Sequence, residues 1–382
     1  MRILIVGAGI AGLTLAAFLK QRGLNPVVIE KCESFGSVGY MLGLWPTSAN
    51  ILRAINCYNQ YIDSSNPANL YEAYTENNQL LKKFSLDPII ERYGPYQVIT
   101  RYELLSVIHQ ACGELDLRFN TQVVSLSQTD HEVEVLFDNK TQENFDLVVG
   151  SDGLHSQIRT LILTDKEYQY FHTGWGGWVW WSHDSMLETN KLREFFGIGT
   201  FWGEYPVKGK TGVIAAVDSP TAENALQGKS RKEFIERKFA KLLQHRPDSL
   251  NALPPDNDPV FFWSLCDQRT TTWHKGRVVL LGDAATAFLP TAGVGASMAL
   301  ESAAVLNDVL SRTGVEFIPQ ALSKFENRRK KTIENAQNDS RGLAKIMFVS
   351  SPWRARLRNY IYKMMPVKSL IKSIVKGFDN PI

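Results

Sequence analysis

Cysteine is scarce: Cys32, Cys57, Cys112 and Cys266 are all that 382 residues contain, and no two form a CxxC pair. That excludes a disulfide-stapled scaffold and, with no histidines at metal-ligand spacing, a zinc centre. Free thiols in a reducing compartment are expected. No apolar run approaches the ~18 residues a membrane span needs, so the chain reads as soluble. Met1–Val6 runs straight into a strand interrupted by glycines rather than by a small-residue cleavage site, so no export signal is expected and the location reads as cytoplasmic. Net charge is also small, +3, which gives no general case for nucleic-acid binding. The charge is unevenly spread, however. From Arg341 onward there are nine Lys/Arg against one acid, Asp379, so the remainder of the chain is slightly acidic.

What is present starts at Ile3. The apolar run Ile3-Leu4-Ile5-Val6 meets Gly7-Ala8-Gly9-Ile10-Ala11-Gly12, then a helical segment to Gln21, a closing Gly23-Leu24-Asn25, and a second strand Pro26–Ile29 ending in Glu30 and Lys31. Strand, glycine turn, helix, strand and terminal acid in this order are the dinucleotide fingerprint. Gly7 permits the sharp turn, Gly9 lets backbone approach a pyrophosphate, and Gly12, beside Ala11, lets helix pack closely on strand. The helix N-terminus offers free N–H groups to phosphate, and Glu30 can accept hydrogen bonds from a ribose.

Two more strand-and-turn segments follow. Phe145–Gly150 is a buried strand leading into Ser151-Asp152-Gly153 and a helix start. Arg277–Leu281 is another, ending in Gly282-Asp283-Ala284-Ala285, then Pro290, Gly293, Gly295 and a helix from about Ala296 to Val309. With these three motifs in this order, over roughly residues 1–330, the chain resembles the class A flavoprotein monooxygenases, the aromatic hydroxylases related to para-hydroxybenzoate hydroxylase. The tetracycline-inactivating enzymes are a branch of the same family.

The resemblance implies FAD as cofactor, NADPH or NADH as co-substrate, and O2. It implies that Asp283, after Gly282, binds the ribityl hydroxyls, that Pro290 lies near the isoalloxazine, and that Gly293 and Gly295 bring helix N–H groups toward the flavin. Asp152 and Gly153 would order the loop at the pyrophosphate and the NAD(P)H approach, and Arg101 in Thr100–Leu105 would contact the FAD backbone. The implied chemistry is a C4a-hydroperoxyflavin transferring one oxygen to an electron-rich ring. Two motifs depart from the family: Ala285 is followed by Thr286 where histidine is usual, and Gly293-Val294-Gly295 stands for Gly-Gln-Gly. Neither removes a glycine or the acid.

The expected fold is α/β: a Rossmann-type FAD domain (1–165 and 265–335, with a substrate-domain insertion around 70–100), interwoven with a mixed-sheet substrate domain (166–264), plus basic amphipathic C-terminal helices (336–382). Trp175, Trp178, Trp180, Trp181, Phe195, Phe196, Phe201, Trp202 and Tyr205 crowd the middle segment, so antiparallel strands are expected to cover the flavin and line a pocket for a planar aromatic or polycyclic substrate. His172, His183 and Tyr205 are the candidates for orienting it; no catalytic residue is assigned. Trp178-Val179-Trp180 is similar to the WxW start of the flavin halogenase signature, but Trp181-Ser182-His183 breaks the continuation. A flavin-binding redox sensor without turnover is the reading from another function class. The tail is read either as helices packed on the substrate domain with a basic face in water, or as a peripheral contact with anionic lipid.

Overall fold

The structure is a computed structural model and describes residues 1–35, 39–182, 189–219, 221, 226, 230–258, 260–376 and 378. The all-apolar strand Ile3–Val6 has both faces buried. It lies inside a six-stranded sheet ordered His274–Lys275, Val278–Leu280, Leu147–Gly150, Ile3–Val6, Val27–Ile29, Asp116–Arg118. All neighbours are parallel except the first pair. Register decides what this sheet can do. Val6 pairs with Gly150 and Gly150 with Leu280, so the three strands end at one level. Gly7, Ser151 and the Gly282 turn, far apart in sequence, therefore emerge side by side at the carboxyl edge, where open parallel sheets bind ligands.

The helix Ile10–Gln21 packs against Gly295–Ser311 and Arg101–Ala111, joining the first and third motifs into one apolar core.

The second sheet has eight strands, ordered Thr286–Ala287, Phe261–Thr270, Tyr168–Ser182, Lys210–Val217, Thr200–Val207, Lys191–Phe196, Leu70–Thr75 and Leu80–Ser85. Its pairs are antiparallel except Lys191–Phe196 with Leu70–Thr75, which is parallel. Side chains alternate between its faces. One face carries Trp178, Trp180, Phe195 and Trp202 into a core closed by the helices Arg231–Lys238 and Ala240–His245. The other face looks toward the first sheet.

Two expected boundaries fall inside elements: the strand Phe261–Thr270 crosses residue 265, and the helix Ile318–Met347 runs through 336 unbroken. Helices Pro352–Met364 and Val367–Ile374 follow it, and the last lays Leu370, Ile371 and Ile374 against the sheet's apolar cluster. No helix among the described residues is long and apolar enough to cross a membrane.

Candidate active site

Between the sheets lies a cavity of about 2250 Å³. A drug-sized pocket is typically ~300–1000 Å³, so this one has room for a dinucleotide and a second molecule.

Its dinucleotide end is built by the glycines. Gly7 has φ +102°, and a Cβ there would lie 2.5 Å from the Ser151 carbonyl oxygen; at Gly12 it would lie 2.2 Å from the Gly7 carbonyl oxygen. Both positions are closed by backbone. Gly9 differs, for its Cβ would meet nothing nearer than the Ser151 oxygen at 3.9 Å, and Gly9 lines the cavity. This open cradle lies at the start of Ile10–Gln21, a helix with no side-chain cap and no acid in its first turn. Free N–H groups beside open space fit a pyrophosphate. Glu30 accepts hydrogen bonds from the Ala8 and Cys32 amides at 3.0 and 3.1 Å, which fixes its carboxylate at the strand end with lone pairs left for a ribose. Lys31 also lines the cavity.

Asp152 also lines the cavity, but its carboxylate is already engaged. Its carboxylate accepts from the Gln157 and Ile158 amides and from the Ser156 hydroxyl, at 2.7, 3.1 and 2.5 Å, so it ties down the start of the helix Gln157–Ile162. It orders the loop, and Gly153, at φ +82°, makes the turn. Ser151 locks that loop to the first motif by donating to the Val6 and Gly7 carbonyls.

Arg101 opens a helix capped by Thr100, whose hydroxyl accepts from the Glu103 amide and donates to its carboxylate. Its guanidinium lines the cavity with a long, 3.5 Å contact to the Phe35 carbonyl, and its charge acts on Asp283. Gly282 has φ +62°, and a Cβ there would come within 2.9 Å of the Ala11 Cβ, so Gly282 and Ala11 are a packing pair that seats the Asp283 turn on the first helix. Asp283 faces the cavity, and its side chain is exposed to that space. Desolvation pushes its carboxyl up to about 6, with Arg101 opposing. Pro290 and the left-handed Gly293 lead into Gly295, first residue of Gly295–Ser311, and all three line the cavity.

The far end of the cavity corrects the aromatic expectation. Of the nine aromatic residues singled out, only Phe196 and Tyr205 line it. Trp178, Trp180, Phe195 and Trp202 face the opposite side of the sheet, and Trp175 packs at a tilt against Phe348. The cavity's aromatic wall instead comes from Tyr71, Phe84, Tyr96, Phe261 and Trp263. His172 lines it beside Tyr170, near the Asp152 loop; His183 lies outside the described residues.

Sequence reasoning missed Glu194. Its oxygens accept from the hydroxyls of Tyr71 at 2.5 Å and Tyr205 at 2.8 Å, and Tyr362 donates to the Tyr71 hydroxyl at 3.3 Å. A signal existed in Leu192-Arg193-Glu194-Phe195-Phe196, where period-2 alternation puts Glu194 with Leu192 and Phe196 on one face. Its phenolic partner Tyr71 lies 123 residues earlier and left no local trace.

Residues 1–339 match the family model described as FAD binding domain. The chain is 28% identical over 373 residues to 3-hydroxybenzoate 6-hydroxylase 1 of Aquipseudomonas alcaligenes, covering 94% of this chain and 92% of that protein. Among solved structures it resembles Klebsiella pneumoniae HpxO complexed with FAD and uric acid, with TM-score 0.89, 23% identity, and 98% of this chain and 96% of that one covered. It also resembles the tetracycline destructase Tet(51), with TM-score 0.75, 22% identity, and 100% and 99% covered.

Proposed function

The chain belongs to the FAD binding domain family, and from that premise we propose that it is an FAD-dependent, NAD(P)H-consuming monooxygenase that hydroxylates an aromatic or polycyclic small molecule. The observation that carries this reading is the convergence of the three motifs on one edge of one cavity, whose far end has room for a substrate. Bound there, FAD supplies two-electron reduction by NAD(P)H and activation of O2, chemistry that no side chain here performs.

The protein's share is binding, orientation and dryness. Gly9 and the N-terminus of Ile10–Gln21 hold the pyrophosphate, Glu30 the ribose, and Arg101 and Asp283 the chain between the two ends. Gly293 and Gly295 would present a helix N-terminus, favourable to negative charge, to the flavin. Phe196, Phe261 and Trp263 keep water from the reacting ring. The test is NADH and NADPH oxidation by the FAD-loaded protein, with oxygen uptake, across phenols, hydroxylated heteroaromatics and tetracyclines. One compound is expected to raise oxidation at least ~10-fold and to gain one oxygen atom in mass. Tight FAD with no stimulation by any compound would favour a redox sensor. The size of the cavity favours carrying the polycyclic, tetracycline-type substrates in that panel as the second reading.

Peripheral attachment of the tail rests on its own observation. On Pro352–Met364, Trp353, Leu357, Tyr360, Ile361 and Met364 fall on one helical stripe and are exposed, Trp353, Tyr360 and Met364 by 63–66%. Arg354, Arg356 and Lys363 flank them, while Ala355 and Arg358 are buried beneath. An apolar stripe edged with cations suits the surface of an anionic bilayer. The chain is expected to sediment with vesicles containing phosphatidylserine at low salt and to come off at ~0.5 M salt. Trp353→Ser with Tyr360→Ser should lose binding while keeping FAD; binding that is indifferent to salt, lipid charge and these changes would discard the reading.

A further inference from the structure

Glu194 and Glu204 lie on neighbouring strands and meet opposite surroundings. Glu204, on the buried face, is matched by two cations, Arg193 at 3.4 Å and Arg246 at 3.2 Å, and accepts from Trp202 Nε1 and the Ser249 hydroxyl. Glu194, on the cavity face, is hydrogen-bonded among the described residues only by phenols. Its strand neighbours are small, Ala73 on one side and Gly203 on the other. Gly203 is needed: a Cβ there would sit 2.5 Å from the Tyr205 ring, which lies over it to reach Glu194. Tyr96 and Tyr362 are close enough for the Glu194 charge to oppose their ionisation.

Lys31 and Arg101 line the dinucleotide end of the cavity, and the other four cations on its wall are engaged. Arg358 donates to the Met347 and Gly197 carbonyls, Arg329 pairs with Glu301, Arg328 with Asp308 and Lys376 with Asp339. Among the described residues, none forms an ion pair with Glu194.

A carboxylate turned into an apolar cavity without a counter-ion is costly unless a ligand completes it. Each oxygen here takes one phenolic hydrogen bond and keeps acceptor capacity facing the cavity, and the surrounding aromatic rings also attract a cation. We propose that Glu194, held between Tyr71 and Tyr205, anchors the substrate, and that the substrate is an aromatic compound presenting a basic nitrogen to it, in preference to one bearing a carboxylate. The assignment rests on the reading of this cavity as the substrate site and narrows its chemistry. Burial raises the Glu194 carboxyl above the usual carboxylate range, with the two phenols pulling it partly back. The groups facing it are Tyr71, Tyr96, Tyr205 and Tyr362, none of which titrates in acid, so the preference should fade on acidification at a pH above that of an ordinary glutamate.

The test uses the FAD-loaded protein and two phenols that differ in one group, tyramine and 3-(4-hydroxyphenyl)propionate, with affinities read by calorimetry and by flavin absorbance. Tyramine is expected to bind at least ~10-fold tighter. Glu194→Gln should erase that difference while FAD content and melting temperature stay as in the parent, and Tyr205→Phe should reduce it. Equal or tighter binding of the propionate, no binding of either probe, or a preference that survives Glu194→Gln overturns the assignment. FAD content and NAD(P)H oxidation are measured on the same preparation. Their absence sinks the monooxygenase reading, whereas a working flavoprotein without amine preference sinks only this one.

Discussion

Replacing Gly9 by valine is expected to leave the protein folded and to abolish FAD uptake. Gly9 has φ −80° and ψ −175°, extended backbone open to any residue, and the space beside its Cα holds no protein atom within 3.9 Å. A Cβ added there therefore clashes with nothing in the apo fold, and only the modest loss of a glycine N-cap is expected. The added methyls occupy the volume in which a pyrophosphate must meet the helix N–H groups, so affinity should fall by ~100-fold or more. Gly12→Ala should behave differently. Its Cβ would be driven to 2.2 Å from the Gly7 carbonyl oxygen and 2.6 Å from the Ser151 hydroxyl, so the first helix must move off the sheet, at a cost on the order of 1–3 kcal/mol. Flavin per chain after gel filtration, together with thermal unfolding, separates the two cases. If Gly9→Val keeps its flavin, the pyrophosphate does not sit in this cradle.

Asp283→Asn should weaken FAD binding by about tenfold to a hundredfold, the range expected when a charged acceptor of hydrogen bonds becomes neutral. The same change should stabilise the cofactor-free protein at neutral pH. Burial raises the Asp283 carboxyl to about 6. Between the ordinary carboxylate value and about 6, the folded chain holds a proton that the unfolded chain has released, so this residue lowers apo stability as pH rises through that window. Asparagine carries no such charge, and the melting temperature of the apo variant should exceed the parent's above pH 6 and converge with it below pH 4. FAD affinity of the parent should fall as pH drops through about 6, because the protonated acid is the poorer acceptor, while the variant's stays flat. A parent whose FAD affinity is level from pH 5 to 8 would remove Asp283 from the cofactor contact.

The cofactor half was largely readable from the chain because its signals are local. Ile3–Val6, the glycines and Glu30 lie within thirty residues; Gly7 and Gly12 are required by steric contact with backbone a few residues or one strand away, and Gly9 by the open space beside it. Asp152 shows the limit of that reading. The motif puts it at the carboxyl edge of the sheet, yet its carboxylate is engaged by the amides of Gln157 and Ile158, so it shapes the loop. The crowded tryptophans were a weaker guide. Aromatic density says that a sheet has a core, whereas strand parity decides which side chains face the cavity, and most of these face away from it.

The sequence by itself determined the α/β class, the dinucleotide turn, the family and hence the cofactor, since each depends on residue types at short, fixed spacing. Only the tertiary structure decided that Val6, Gly150 and Leu280 end level, because register between parallel strands is set by the packing of the helices that connect them. Only it decided that Tyr71, Glu194 and Tyr205 meet. That grouping depends on the parallel pairing of Leu70–Thr75 with Lys191–Phe196, a contact between residues 121 apart that no local pattern encodes. The far end of the cavity is written in ordinary residues, and it took long-range strand pairing to turn one glutamate toward it with no ion-pair partner among the described residues.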